Sequence, residues 1–269
     1  MNQQNGFLTT NRCKISLHTS VQQFMSKKQS NYFKNWELFV SQCGSHSRLN
    51  ITDLSNLFQQ TAALHSASWG MSYFDMQKNH QAWVLSSMRI ELEPLPGWHE
   101  TIQIETWIES LAGMRSVRDF EVRHQGKIVA KASSLWVVLN TERRRPEPLT
   151  IPYEDLKQFP ERKATKIPVS KIDLTKPAQK TGSKTVSFSD LDIVGHVNNV
   201  KYMEWCLDTL PKEWLEESKL QNIDLNYIKE VHYQDEIAIC TYQENDYIYF
   251  YIKRDKDICF AMRIELKRY

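Results

Sequence analysis

Apolar and polar positions alternate along two long stretches of the chain, and each stretch is introduced by a helical pattern. In the first, Thr52 or Asp53 opens a run in which Leu54, Leu57, Phe58, Ala62 and Leu64 recur at helical spacing, ending near Gly70. Strand-like runs follow at 82–93, 101–110, 115–124 and 127–140. In the second, a strand near 184–188 leads into a helix at 199–210, where Val200, Met203, Leu207 and Leu210 share one face and Pro211 closes the run. Strand patterns return at 221–230, 236–243, 246–254 and 257–267. Helix first and antiparallel strands after, twice over, predicts an α+β chain of two like halves, each a central helix wrapped by a curved antiparallel sheet that hides its apolar face.

The halves also align in sequence. At an offset of 135, Trp98–Trp107 lies over Tyr233–Tyr242, and Ile90 and Leu92 fall over Leu225 and Tyr227. The pattern of a duplicated unit follows from this spacing. The same offset sets Glu230 against Leu95 and, continued into the helix, Asp192 and His196 against Leu57 and Thr61, so the polar set belongs to the second half alone. The expected divisions are an N-terminal extension at 1–33, a first half at 34–145, a basic, Pro-punctuated linker at 146–183 and a second half at 184–269. The first 36 residues hold no Asp or Glu and carry Arg12, Lys14, Lys27, Lys28 and Lys34. A disordered tail, a start codon placed too early with Met25 as the true first residue, and a transit segment are the three readings of that stretch.

Charge narrows the choice of partners. In 269 residues, 34 basic and 32 acidic side chains nearly cancel, which gives no argument for nucleic acid or membrane binding. Locally the balance shifts: eight basic residues against two acidic lie between Lys157 and Lys184, with Arg143-Arg144-Arg145 just before them. A solvated linker and a docking surface for an acidic partner are both compatible with that run. The five cysteines form no Cys-x-x-Cys pair and are odd in number, which fits a reducing cytoplasm rather than a disulfide framework. No His/Cys set has zinc-ligand spacing and there is no phosphate-binding glycine loop, so no metal and no cofactor are expected. No stretch reaches the roughly 18 apolar residues of a membrane span.

The chemistry concentrates in Asp192-Ile193-Val194-Gly195-His196-Val197-Asn198-Asn199. A carboxylate and an imidazole four residues apart flank a glycine-bearing turn just ahead of a helix start. Asn198 is the expected N-cap, and the remaining first-turn N–H groups with the positive helix end favour negative charge developing on an attacked carbonyl. Either Asp192 attacks as a nucleophile, or His196 activates water as a general base.

The fuller string Asp-x-x-x-His-Val-Asn-Asn-Val-x-Tyr, followed by Trp205, resembles the active-site segment of the acyl-acyl-carrier-protein thioesterases. Trp83-Val84-Leu85, Met88-Arg89-Ile90-Glu91, Ile104-Glu105-Thr106-Trp107, Arg118-Asp119-Phe120 and Ala132-Ser133-Ser134-Leu135-Trp136-Val137 agree with that family in the same order, from about Lys34 to Leu266. The resemblance implies a tandem (double) hot-dog fold and hydrolysis of fatty acyl thioesters on acyl carrier protein, ending fatty acid synthesis. It implies Asp192, His196 and Glu230 as the catalytic set, and a first half that holds the acyl chain, with Trp83 and Met88 as candidate lining. The substrate itself would carry the phosphopantetheine, and the acidic carrier would suit the basic cluster. Val194 stands where the family has a catalytic Asn, and Val231 where plant members have a Cys after the Glu. The first change leaves the carbonyl-orienting role to Asn198, Asn199 or the Gly195 N–H; the second argues against a cysteine nucleophile. An acyl-CoA thioesterase of the same fold and a non-catalytic acyl-binding protein are the rival readings. The expected location is cytoplasmic, or plastid if residues 1–33 are a transit segment, and a homodimer stays open.

Overall fold

The computed structural model describes residues 29–216 and 219–267. The readings of the N-terminal tail therefore fall, up to residue 28, outside the described residues. The first half contains β1 (Asn31–Glu37), α1 (Ile51–Ser68), α2 (Tyr73–Gln77), β2 (Gln81–Leu92), β3 (Thr101–Ala112), β4 (Arg115–His124), β5 (Lys127–Asn140) and the short β6 (Arg145–Pro146). The second contains β7 (Gln179–Thr185), α3 (Asn199–Leu207), α4 (Lys212–Glu216), β8 (Leu220–Tyr227), β9 (Glu236–Glu244), β10 (Tyr247–Arg254) and β11 (Asp257–Leu266). β1 thus reaches back to Asn31, inside the segment assigned above to the extension.

One antiparallel sheet runs through both halves in the order β1-β3-β4-β5-β2-β8-β11-β10-β9-β7, with β6 added beside β5. The order is a mirror image about the β2–β8 seam, as a tandem hot-dog requires. Strand alternation sorts the residues of the seam. Met88, Ile90, Ile223 and Leu225 join Leu54, Leu57 and Phe58 of α1 and Val200, Met203 and Cys206 of α3 in one continuous core. Arg89 and Asp224, opposite each other in register, point to the other face. There Asp224 takes Nη1 of Arg89 at 2.9 Å and Nη2 of Arg263 at 2.7 Å, while Arg89 Nε also reaches Glu91 at 3.2 Å.

The linker lies across this outer face as a strap. Arg162 pairs with Glu105 through both guanidinium nitrogens at 2.8 Å and covers the Trp107 ring at 3.6 Å. Farther along, Lys166 N–H donates to Glu91, Ile172 N–H to Asn226 Oδ1, and Tyr251 Oη–H to the Asp173 carbonyl. The strap roofs the seam, which leaves Arg89 and Asp224 only 2% and 3% exposed.

The internal repeat differs from its sequence alignment ahead of the strands. An offset of 148 carries β1 onto β7, the 3-10 turn Val40–Gln42 onto Phe188–Asp190, and the start of α1 onto the start of α3. The bridges Cys43↔Leu49 and Leu191↔Val197 close equivalent loops, with Ser47 (φ 58°) and Gly195 (φ 80°) at matching positions. Asp192 and His196 therefore stand opposite Gly44 and Arg48, not Leu57 and Thr61. The offset changes because α1 has 18 residues and α3 only 9, so an ungapped alignment through the helices cannot hold.

The extra turns of α1 carry a buried polar pair. His65 Nδ1 accepts from Arg118 Nη1 at 2.8 Å and Nε2–H donates to the Gln29 carbonyl at 2.9 Å, so the network fixes a neutral tautomer. Burial, then the Arg118 cation, pushes the His65 pKa from 6.5 down to about 3.

Two outcomes are expected. Removing one partner of the seam network leaves a buried charge unmatched, so Arg89→Met should cost about 3 kcal/mol by urea unfolding, and Asp224→Asn, which strands two guanidiniums, about 4–5 kcal/mol. A loss under about 1 kcal/mol in both would reduce the network to the level of an exposed ion pair. His65 is neutral in the fold and protonates in the unfolded chain below its ordinary 6.5, so its contribution is whole above that pH and falls as pH drops toward about 3. Wild type should accordingly lose about 2 kcal/mol between about pH 6.5 and pH 5 that His65→Asn does not lose; equal acid losses in the two proteins would refute the assignment.

Candidate active site

The loop 191–197 is a small closed structure held from within. Asp192 N–H donates to the His196 carbonyl at 2.8 Å, and Asp192 Oδ1 accepts from Val194 N–H at 2.9 Å and His196 N–H at 3.1 Å. Gly195 takes φ +80°, a conformation costly for any residue with a Cβ, and gives its N–H to the Asp192 carbonyl at 3.1 Å. Asp192 is thus the staple of the turn that presents His196. The Gly195 amide, a candidate carbonyl donor on sequence grounds, is spent in the same turn.

Two asparagines then start α3. Asn198 caps it, its side chain accepting from Val200 N–H at 3.0 Å. Asn199 turns outward from that cap: its amide donates to Gln59 Oε1 of α1 at 3.4 Å, and its carbonyl accepts from Tyr227 Oη–H at 3.0 Å. The start of α3 is thereby tied to the middle of α1. Val194, on the loop, is 41% exposed and offers only its backbone to a ligand.

Glu230 arrives from the β8–β9 connection and is fixed on both sides of its peptide. Tyr202 Oη of α3 accepts Val231 N–H at 3.1 Å, and Arg254 Nη1 donates to the Glu230 carbonyl at 3.2 Å. Burial pushes the Tyr202 hydroxyl well above its ordinary value, so it stays protonated and neutral. The Glu230 carboxylate then divides its oxygens. Oε1 lies 3.7 Å from His196 Nδ1, while Oε2 accepts from Arg144 Nη2 and lies 3.8 Å from His232 Nε2.

His232 is the second imidazole of the site, edge-on to His196 with ring centroids 5.9 Å apart. Asp235 holds it through its backbone N–H at 2.8 Å and is itself paired to Arg254 at 2.6 Å. Burial pushes the Asp235 carboxyl up, but the His232 N–H and Arg254 outweigh it and hold the group below its ordinary value.

His196, Glu230 and His232 offer ligand atoms within 4.8 Å of one another, close enough to share a small cation, although their sequence spacing is not that of a zinc site. The local charge opposes one. Arg144 already matches Glu230, and Arg254 Nη1 stands 3.4 Å from His232 Nδ1. The arrangement suits proton transfer between an imidazole and a carboxylate.

Through Asn199, Gln59 connects the start of α3 to a cavity of about 510 Å³ in the first half, lined by Ala62, Ala63, Trp69, Trp83 and Trp136 among others. Trp83 is on that lining. Met88 is not: it shares a face of β2 with Trp83, because the register shift between Leu85 and Ser87 resets the alternation, but it lies farther along the strand, 4% exposed in the core beside Leu225. Gln59, His232 and Arg254 were not singled out from the sequence, and Arg144 was read only as part of a basic cluster. His232 lies two residues after Glu230 and was open to notice; Arg144, 86 residues away from its partner, carried no local signal.

Comparison with known proteins gives the family. Residues 29–155 match the acyl-ACP thioesterase N-terminal domain and residues 175–262 the C-terminal domain of the same family. An Arabidopsis thaliana oleoyl-acyl carrier protein thioesterase is 30% identical over 257 residues, covering 87% of this chain and 68% of that protein. A Cuphea viscosissima acyl-[acyl-carrier-protein] hydrolase is 32% identical over 225 residues, covering 78% of this chain and 53% of that one, so the chain spans about half to two thirds of such plant relatives. The crystal structure of a Bacteroides thetaiotaomicron acyl-ACP thioesterase superposes with a TM-score of 0.82 at 23% identity, covering 90% of this chain and 100% of that chain. A 12:0-ACP thioesterase from Umbellularia californica superposes at 0.75 with 22% identity, covering 89% and 98%. Two matched domains in order, a relative at 30% identity along most of its length and the shared double hot-dog fold together show that the chain belongs to the acyl-ACP thioesterase family.

Proposed function

We propose that this chain hydrolyses fatty acyl thioesters of acyl carrier protein, with His196 as general base, Glu230 as its orienting carboxylate and Asp192 as the staple of the catalytic loop. The observation that carries the reading is the approach of Glu230 Oε1 to His196 Nδ1 at 3.7 Å, beside a helix start tied through Gln59 to the lining of an apolar cavity. A carboxylate on Nδ1 leaves Nε2 to take a proton from water as the water oxygen attacks the thioester carbon. The carbonyl oxygen gains the negative charge, which the positive end of α3 and the second hydrogen of the Asn199 amide would stabilise. When the C–S bond breaks, the imidazolium returns the proton to the departing phosphopantetheine sulfur, and the fatty acid is free. The nucleophile route through Asp192 fits less well, because its Oδ1 is engaged by two backbone N–H groups.

The carrier would meet the site from the side of the β5–β6 hairpin. Of the eight basic residues between Lys157 and Lys184, Arg162, Lys176 and Lys184 are already paired with Glu105, Glu244 and Asp190. The exposed Arg143 and Arg145, which flank Arg144 of the site, are the better docking pair. A cytoplasmic location fits the free thiols of Cys43, Cys206, Cys240 and Cys259 and the absence, among the described residues, of a helix able to cross a membrane. The chloroplastic names of the plant relatives keep the plastid as the alternative.

Release of free thiol from octanoyl- and palmitoyl-carrier protein is the direct test. His196→Ala should lower kcat by about 10²–10⁴-fold. Asp192→Asn separates the two routes: its remaining oxygen still accepts both N–H groups, so the staple role predicts a loss of roughly tenfold, whereas loss of a nucleophile would abolish turnover. Retention of substrate without thiol release by wild type would favour the acyl-binding reading, and release from acyl-CoA alone the acyl-CoA thioesterase. Docking through Arg143 and Arg145 predicts that KM for the carrier substrate rises steeply with salt while KM for the N-acetylcysteamine thioester stays flat. Parallel salt responses would remove these arginines from docking.

A further inference from the structure

The β5–β6 hairpin is built more firmly than a solvent loop requires. Asn140, 8% exposed at the end of β5, accepts the N–H groups of Glu142 and Arg143 on Oδ1 at 3.1 and 2.8 Å. Its Nδ2 donates to Glu147 Oε2 at 3.0 Å, and Gln81 Nε2 donates to the other oxygen of Glu147 at 2.7 Å. Thr141 N–H reaches the His80 carbonyl at 2.8 Å, and Arg144 N–H closes the turn on the Asn140 carbonyl at 2.9 Å. The last loop residue, Arg144, has φ +56°, where glycine or asparagine would sit with less strain. A costly backbone held by surrounding bonds, at a residue whose side chain leaves its own half, marks a functional demand.

The Arg144 guanidinium crosses from the first half to Glu230 of the second and bonds Oε2, the oxygen turned away from His196. We propose that Arg144 is a positioning residue for the reaction: it clamps Glu230 Oε2 across the boundary between the halves and so aims Oε1 at His196 Nδ1. The proposal rests on the His196–Glu230 reading above. It withdraws Arg144 from the basic docking cluster to which its neighbours belong. Besides His196, the other charged or titratable groups facing Glu230 are His232, the Tyr202 hydroxyl and, through the Glu230 carbonyl, Arg254; all come from the second half, so none can register one half against the other.

The test compares Arg144→Gln, Arg144→Lys and Arg144→Gly on two substrates, octanoyl-carrier protein and octanoyl-N-acetylcysteamine, the second lacking a carrier to dock. Positioning predicts that Gln and Gly lower kcat by about 10–100-fold on both substrates with KM little changed, and that Lys restores part of it. Arg144→Gly also relieves the strained backbone, so its Tm should equal or exceed that of wild type while its kcat falls. In a Glu230→Gln background Arg144→Gln should cost nothing further, since the group it acts through is gone. A rise in KM confined to the carrier substrate would return Arg144 to docking, and full additivity with Glu230→Gln would show that it does not act through that carboxylate. If Glu230→Gln alone keeps wild-type kcat, the general-base reading fails; if Glu230→Gln is impaired and Arg144→Gln is not, only the present inference fails.

Discussion

A carboxylate shared by two guanidiniums, Asp224 between Arg89 and Arg263, governs how the halves meet. β2 and β8 pair over a short register, Ser87↔Asn226 to Glu91↔Asn222, and a strand pair can slip by a residue unless something on its faces forbids it. Apolar side chains on the inner face would tolerate neighbouring registers. A buried ion pair does not, because a shift leaves unmatched charge under the strap. The strap matters to this argument, since it excludes the water that would otherwise forgive a mismatch.

Fixing that seam fixes the candidate site, whose residues neither half contains alone. The second half supplies the loop of Asp192 and His196, the α3 start and Glu230. The first supplies Gln59, the cavity and the arginine on Glu230. Each contact between them is a few ångströms long, so the geometry of His196 inherits whatever precision the seam provides. Tyr202 shows the same economy within the second half: one hydroxyl in the helix fixes the peptide next to Glu230.

The strands were legible because their faces differ, one against the helices and one against solvent or strap, and alternation is what that difference writes into a chain. α3 was legible from its cap and its apolar spacing, and the family string pointed to its entry loop. Contacts across long separations were not. Arg144 meets Glu230 only because a hairpin turn aims it, and the basic linker looked like a free charged ribbon because Arg162, Lys176 and Lys184 find their acids in distant strands. Met88 shows a narrower limit. Hydrophobicity identified it as interior, but Met88 and Trp83 share one face of β2, and only the packing of the helices along that face decides which meets a core and which a cavity.

The unequal helices carry a different lesson. Through Gln59, α1 runs parallel in sequence to the whole of α3; the nine residues after it, 60–68, continue the same helix where the second half breaks at Asp208–Pro211 before the short α4, and they include Ala62, Ala63, His65, Ser66 and Ala67 of the cavity wall. In a symmetric pair of identical subunits every insertion appears twice, and lengthening one helix would also remodel the other. Joining the copies in one chain removed that obligation. Under the proposed function, selection can therefore recut the helical segment that walls the cavity, residue by residue, while the loop that carries His196 is inherited unaltered, so substrate range and catalytic competence would become separately heritable traits of a single polypeptide.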